Sequence, residues 1–178
     1  VEITPSGRQE TLGPADRRGA DRDGFGTWYW IDHDEEGIEY WPAGMGDPGT
    51  FWEGTELTRP ACVPAGTGDF RACTPPVVRR PPRLRGLAVT TRHYLLVGTL
   101  SPSGLLVFDL HGGGLPVWRR WPADAQPLDI RSDSDGGAWV LDTGPSGPRL
   151  WHLDAGFRPL PETGLQAPRP QPVADLFQ

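Results

Sequence analysis

One stretch of this sequence, residues 85–160, contains the same pattern twice. Each copy has a short apolar segment, a longer apolar segment, a turn rich in Pro and Gly, and a third apolar segment. The segments are 86–89, 93–99 and 105–110 in the first copy and 128–130, 138–143 and 149–154 in the second. Equivalent residues Thr99 and Thr143 lie 44 positions apart. A strand-rich repeat of about 40 to 50 residues is typical of the blades of a β-propeller.

A third, earlier unit shares part of this pattern. Residues 27–32 and 38–42 are rich in aromatic and β-branched side chains and flank a polar loop containing Gly37, which predicts a β-hairpin. The fold expected is therefore all-β, a partial β-propeller with about three blades visible and a long irregular insertion. Propellers close rings of about four to eight blades. We therefore expect the ring to be completed by sequence outside this chain or by another chain.

The composition supports short strands and tight turns. Gly and Pro contribute 24 and 21 of the 178 residues, and there are eight Trp. Large flat side chains suit the spaces between blades. Trp139 and Trp151, which occupy repeat positions, are expected in the core.

Charge and hydropathy exclude two classes of partner. The chain has 17 basic and 23 acidic residues, a net charge of −6. No global positive field is available to attract phosphates, so we predict no nucleic-acid role. No apolar run approaches the length of a membrane span, so none is predicted.

The pattern divides the chain into three parts. Residues 1–22 show no hydrophobic period and are expected to form an N-terminal arm or linker. Residues 23–160 are assigned to the propeller blades, with the irregular insertion at 43–82. Residues 161–178 are rich in proline, which favours an extended connector and disfavours a helix.

Candidate chemistry is sparse. Acidic residues cluster in and beside the polar loop at 33–37. The candidate metal ligands in this cluster are Asp32, Asp34 and Glu36, because hard cations prefer converging oxygens. A charged surface explains this hairpin tip better. The four histidines fall at non-equivalent repeat positions, and no motif for nucleophilic catalysis or phosphate binding is present. The expectation is a chain without catalytic residues and without a cofactor.

The insertion supplies the remaining candidates. Long irregular loops are often functional, and its aromatic residues can anchor it or contact a ligand. The candidate binding residues are Trp41, Phe51, Trp52 and Phe70. Cys62 and Cys73 are a possible disulfide, which requires an oxidising compartment; in the cytosol two ordinary thiols are favoured.

The two repeats, particularly residues 85–110 and 136–142, resemble the blades of NHL-like six-bladed propellers. Residues 29–34 together with 85–91 look like the propeller part of large actinobacterial phage-tail-like proteins, which are associated with contractile injection systems. The resemblance implies a structural or attachment role in the cytoplasm or in a released tail-like particle. The implied partners are other protein subunits or the remainder of the same polypeptide.

The leading hypothesis is thus a non-enzymatic propeller segment that serves as a structural or protein-binding surface. One alternative is a metal-dependent propeller hydrolase or lactonase, which would use inward-pointing Glu, Asn and Asp, although the chain contains no Asn. A second alternative is a surface glycan-binding module that uses exposed Trp41 and Trp52.

Overall fold

The computed structural model describes residues 19–44, 46–54, 81–121, 124–145 and 147–160, together with the backbone of five short strands outside these ranges. No α-helix occurs in this part of the chain, and none of its elements is a helix long and apolar enough to cross a membrane. The strands are β1 (Glu2–Ile3), β2 (Gln9–Glu10), β3 (Ala20–Arg22), β4 (Trp28–Ile31), β5 (Gly37–Trp41), β6 (Gly49–Glu53), β7 (Cys62–Val63), β8 (Ala72–Cys73), β9 (Leu84–Val89), β10 (Tyr94–Leu100), β11 (Ser103–Asp109), β12 (Val117–Arg120), β13 (Pro127–Ser132), β14 (Ala138–Asp142), β15 (Arg149–Leu153) and β16 (Leu165–Gln166).

Of the four antiparallel sheets that the structure describes, one pairs β1 with β2 and the other three follow one another along the chain as blades. Blade 1 consists of β3 to β6, blade 2 of β9 to β12 and blade 3 of β13 to β16, each paired in chain order. Strands β8 and β7 extend the outer edge of blade 2. The first strands of the blades are neighbours, since β9 contacts both β3 and β13. Consecutive four-stranded meanders arranged around their first strands form a partial β-propeller, which confirms the expected fold class and blade count.

The core lies between the blades. One buried cluster joins blade 1 to blade 2 and includes Tyr29, Ile31 and Leu95. A second joins blade 2 to blade 3 and includes Leu96 and Val140. Because successive side chains of a strand point to opposite faces, neighbours on β10 enter different clusters. Each blade thus has a preceding face, toward the previous blade, and a following face, toward the next.

One short turn recurs through the structure. It begins at Asp23, Asp32, Thr90, Asp133 and Asp154, and its fourth residue has a positive φ each time: Gly26, Glu35, His93, Gly136 and Phe157. In four copies the first residue donates its N–H to the carbonyl of the fifth, as from Asp133 to Gly137 at 3.1 Å. The side chain of the first residue accepts a hydrogen bond from the N–H of the fifth residue, a local bond that Asp and Thr form readily.

The turn defines two ends of the molecule. The turns after β3, β9 and β13 lie side by side, because Phe25 contacts His93 and Arg92 lies against Gly136. We call this side end A. The opposite side, where β4 turns into β5 and β10 into β11, is end B.

The structure changes the expected boundaries. Blade 1 begins at β3, inside the expected arm at 1–22, because Ala20–Arg22 pairs with Trp28–Ile31. The insertion expected at 43–82 begins later, since Gly49–Glu53 pairs with β5 as the fourth strand. In the expected connector at 161–178, Leu165–Gln166 pairs with β15. The other residues of 161–178 lie outside the described part of the chain.

Candidate binding surfaces

The aromatic residues predicted to bind a ligand separate into different environments. Trp52 is 3% exposed, and the rings of Phe51 and Trp52 lie 5.4 and 5.6 Å from the ring of Phe108. Both side chains pack against blade 2, so Trp52 is not available to a glycan on the surface. Phe70 lies outside the described residues. The difference arises because pairing of β6 with β5 draws this segment into the blade.

Trp41 keeps a position at the surface. It is half-buried, and its indole N–H donates to the carbonyl oxygen of Gly46 at 2.8 Å. On the neighbouring strand its ladder partner is Trp28, and the Arg22 guanidinium lies 5.9 Å from the centre of the Trp28 ring. These side chains line an open cleft of about 220 Å³ on the preceding face of blade 1.

The acidic tip between β4 and β5 is organised as a turn. The carboxylate of Asp32 accepts the N–H of Glu36 at 2.9 Å, and Asp34 is an exposed neighbour of His33. In the described ranges no group of three His, Cys, Asp or Glu side chains is placed to hold a metal ion. The three candidate ligands Asp32, Asp34 and Glu36 are therefore not brought together as a metal site.

A cleft of about 320 Å³ at end B is lined by residues of all three blades. Glu35, at the positive-φ position of its turn, places its carboxylate 3.5 Å from the Arg83 guanidinium and 3.6 Å from that of Arg85. Asp129 and Leu128 line the same cleft from blade 3. The backbone N–H of Leu84 donates to the carbonyl of Glu35, so these contacts also tie blade 1 to blade 2.

Blade 3 contains a His–Asp pair at end A. Nε2 of His152 lies 2.7 Å from the Asp133 carboxylate, and the His152 ring stacks on Trp139 at 3.9 Å. Burial acts to raise the pKa of Asp133, but the bonds from His152 and from two backbone N–H groups outweigh it and lower the pKa. The carboxylate stays ionised and fixes both the turn and the imidazole.

Exposed apolar side chains are concentrated at end A. Phe25 is 76% exposed, Leu115 62% and Val117 42%. Phe25 stands at the tip of the β3–β4 turn, with its ring perpendicular to that of His93 at 4.6 Å. The loop from β11 to β12 carries Leu115 and begins where the N–H of Leu110 donates to the carbonyl of His93. We call Phe25, Leu115 and Val117 the end-A surface.

The sequence patterns did not predict the end-A surface. The available signal was the segment 23–26, in which an aromatic residue stands between two glycines in a turn. A large apolar side chain at such a tip cannot be buried by its own hairpin. Exposure of Leu115 and Val117 depends on the position of the β11–β12 loop and has no comparable local signal.

The possible disulfide is not tested by the described side chains. The backbone of β7 pairs with that of β8 so that Cys62 and Cys73 are direct ladder partners. Cys73 is also the ladder partner of Trp118 on β12. The disulfide stays a prediction.

Comparison with known proteins adds information about the fold alone. No protein-family model matches the chain, and no curated protein is similar to it. Among solved structures, that of a streptogramin B lyase is similar, with 13% sequence identity and a TM-score of 0.36. The similarity covers 82% of this chain and 55% of the lyase, so the chain spans about half the length of that protein.

Proposed function

We propose that this chain is a non-enzymatic β-propeller segment that binds other proteins in a larger assembly through the end-A surface. The observation that carries the proposal is the exposure of Phe25, Leu115 and Val117 on one end of two adjacent blades. Large apolar side chains exposed together are characteristic of protein contact sites.

Hydrogen bonds fix the turn and the loop that carry these side chains, and a fixed surface favours the binding of a partner. Phe25 lies in a turn closed by two bonds to the Asp23 carboxylate, at 2.9 Å from its own N–H and 2.8 Å from that of Thr27. The loop carrying Leu115 starts with Asp109 accepting the N–H groups of His111 and Gly112. A surface held in one conformation loses little conformational entropy when a partner binds.

We propose more specifically that the larger assembly is a phage-tail-like, contractile injection particle. It rests on the resemblance of residues 29–34 and 85–91 to such proteins. In that setting the blades would form a rigid support and the end-A surface would contact a neighbouring subunit.

The first test is the native mass and composition of the material that contains this chain, purified from its own source without denaturant. We expect a large assembly with the chain in fixed stoichiometry. A free small species that carries a stoichiometric divalent ion would contradict the proposal and favour the propeller-hydrolase alternative.

The second test uses the double variant Phe25→Ser, Leu115→Ser, which should be lost from the assembly while remaining folded. Leu128→Ser is the matched control, because Leu128 is also apolar and 39% exposed but lies at end B. The control should remain incorporated. Equal incorporation of both proteins would reject the end-A surface as the contact site.

A further inference from the structure

The recurring turn aligns the three blades residue by residue. Its fifth residue is Thr27 in blade 1, Tyr94 in blade 2 and Gly137 in blade 3. Two residues further along, the aligned positions on the following faces are Tyr29, Leu96 and Trp139. Four residues further along they are Ile31, Gly98 and Leu141, and the ladder partners of this set are Ile38, Leu105 and Leu150.

Burial at these positions changes at blade 3. Leu96, Ile38 and Leu105 are at most 1% exposed, and Tyr29 is 7% exposed. The equivalent side chains of blade 3 are Trp139, Leu141 and Leu150, and all three are half-buried. None of the three belongs to either core cluster of the described residues. The following face of blade 3 therefore carries the apolar pattern of an interface between blades without the burial.

The face that would match it is the preceding face of blade 1, the first of the three blades. One residue after each turn, the aligned positions on the preceding faces are Trp28, Leu95 and Ala138. Leu95 and Ala138 are fully buried against the previous blade, whereas Trp28 is half-buried and lines the cleft of about 220 Å³ with Trp41. Trp30, on the same face, is only 3% exposed, so the opening is confined to the part near end A. Trp139 is the second residue of β14, which begins at end A, so it also lies near end A.

We propose that the following face of blade 3 docks on the preceding face of blade 1 of a second copy of this chain. The contact continues the interfaces that already join blades 1 to 2 and 2 to 3. Two copies joined in this way at both faces contain six blades, which lies within the range of closed propeller rings. The proposal is independent of the end-A surface.

The interface between blades 1 and 2 indicates one polar feature of this contact. The carboxylate of Asp21 accepts the N–H of Val89 at 2.8 Å across that interface. By ladder position, the equivalent of Asp21 in blade 3 is Arg131, and the equivalent of Val89 in blade 1 is Arg22. A second copy therefore brings Arg131 near Arg22, and an acidic residue at 131 would improve the contact.

The first measurement is the native mass of the purified chain across a concentration series, by light scattering or native mass spectrometry. We expect a species of twice the 19.5 kDa chain mass that dissociates on dilution. A chain that is monomeric at every concentration overturns the proposal. A chain that assembles only with other proteins of its source also overturns it and assigns the face to a different partner.

Two variants then test the two faces. Leu141→Asp, in blade 3, and Trp28→Asp, in blade 1, should each give a folded monomer, with folding checked by near-ultraviolet circular dichroism. Leu128→Asp is the matched control, since Leu128 is 39% exposed, lines the cleft at end B and lies outside the end-A surface, and it should leave the dimer unchanged. Dimers that persist in both face variants overturn the proposal.

Mixing the two variants distinguishes this geometry from a symmetric contact. The Trp28→Asp protein retains an intact blade 3 face and the Leu141→Asp protein retains an intact blade 1 face, so the mixture should recover a dimer with one complete interface. A mixture that stays monomeric overturns the head-to-tail arrangement. Arg131→Asp removes the exposed ion pair of Arg131 with Asp129 at 3.2 Å, and it should tighten the dimer about three- to fivefold. Weaker dimerisation of this variant would contradict the proposed alignment.

Discussion

Leu96 in blade 2 and Trp139 in blade 3 occupy the same ladder position, yet only Leu96 is buried. Blade 2 packs on both faces, with Leu95 in one core cluster and Leu96 in the other. Blade 3 packs on its preceding face alone among the described residues. The same strand pattern is therefore packed on both faces in blade 2, whereas blade 3 combines apolar packing on one face with a network of polar bonds.

The polar bonds of blade 3 centre on Asp142, which is fully buried. Its carboxylate accepts the backbone N–H groups of Gln126 and Gly144, both at 2.7 Å. It also accepts the Nε–H of Arg149 at 2.9 Å and the indole N–H of Trp151 at 3.1 Å. At the same ladder position blade 2 has Thr99, whose hydroxyl donates to the carbonyl of Pro102 at 2.6 Å and accepts the indole N–H of Trp118 at 3.3 Å.

The largest effect should come from Asp142→Ala. Removing the carboxylate leaves the N–H groups of Gln126, Gly144 and Trp151 without this acceptor and leaves Arg149 with Asp124 as its remaining carboxylate partner, at a cost of about 3 to 5 kcal/mol in the free energy of unfolding. Urea denaturation measures it. Asp142→Asn keeps an acceptor oxygen and should be milder. A loss below about 1 kcal/mol for the alanine variant would show that blade 3 does not depend on this carboxylate.

The direct comparison of blades uses Leu96→Ala and Leu141→Ala, measured in dilute solution. Leu96 is fully buried between blades, so its truncation should lower the free energy of unfolding by about 2 to 5 kcal/mol. Leu141 is half-buried on the following face of blade 3, so its truncation should cost less than about 1 kcal/mol. Equal losses would mean that the following face of blade 3 is already packed in the isolated chain.

Acid should weaken the blade 3 turn held by Asp133. The folded-state pKa of Asp133 is lowered, so the stability that this carboxylate contributes is present above its unfolded pKa of about 4 and is lost as the pH falls through the folded pKa. Asp133→Asn should cost about 1 kcal/mol near pH 7 and less near pH 3. Urea denaturation at the two pH values measures the difference, and a pH-independent cost would contradict it.

The smallest effect concerns Tyr29, at the interface between blades 1 and 2. Burial and the nearby Asp23 charge raise the pKa of Tyr29 to about 12. The unfolded chain releases this proton near pH 10, so the stabilising contribution is present below about pH 10 and is lost as the pH rises toward 12. Tyr29→Phe should flatten the decline in stability over this alkaline range. An unchanged decline would assign it to other groups.

The sequence predicted the hairpins well because their signals are local. Continuous apolar runs within 93–99 and 105–110, separated by a turn at Pro102, predicted β10 and β11. Strand β6 was missed because Gly49–Glu53 lies among glycines and prolines and becomes a strand only through pairing with β5. Likewise Phe51 and Trp52 were expected as binding residues, and it is the contact with Phe108 of blade 2 that places them in the core.

The repeat alignment explains why Trp139 was expected in the core. A spacing of 44 residues, taken from Thr99 and Thr143, places Trp139 at the position of Leu95. The turns instead align Thr90 with Asp133, which places Trp139 at the position of Leu96. A shift of one residue moves a side chain to the other face of a strand, and here that face is only partly covered.

The sequence by itself determined the all-β class, the number of blades and the turns, because short apolar runs, Pro, Gly and Asp act over a few neighbouring residues. Only the tertiary structure decided which face of each strand meets another blade. That choice depends on ladder register and on the sheet opposite, and both come from residues distant in the chain. The exposed Phe25 at end A and the half-buried face of blade 3 were decided in this way, by which neighbouring sheet is present to cover each apolar side chain.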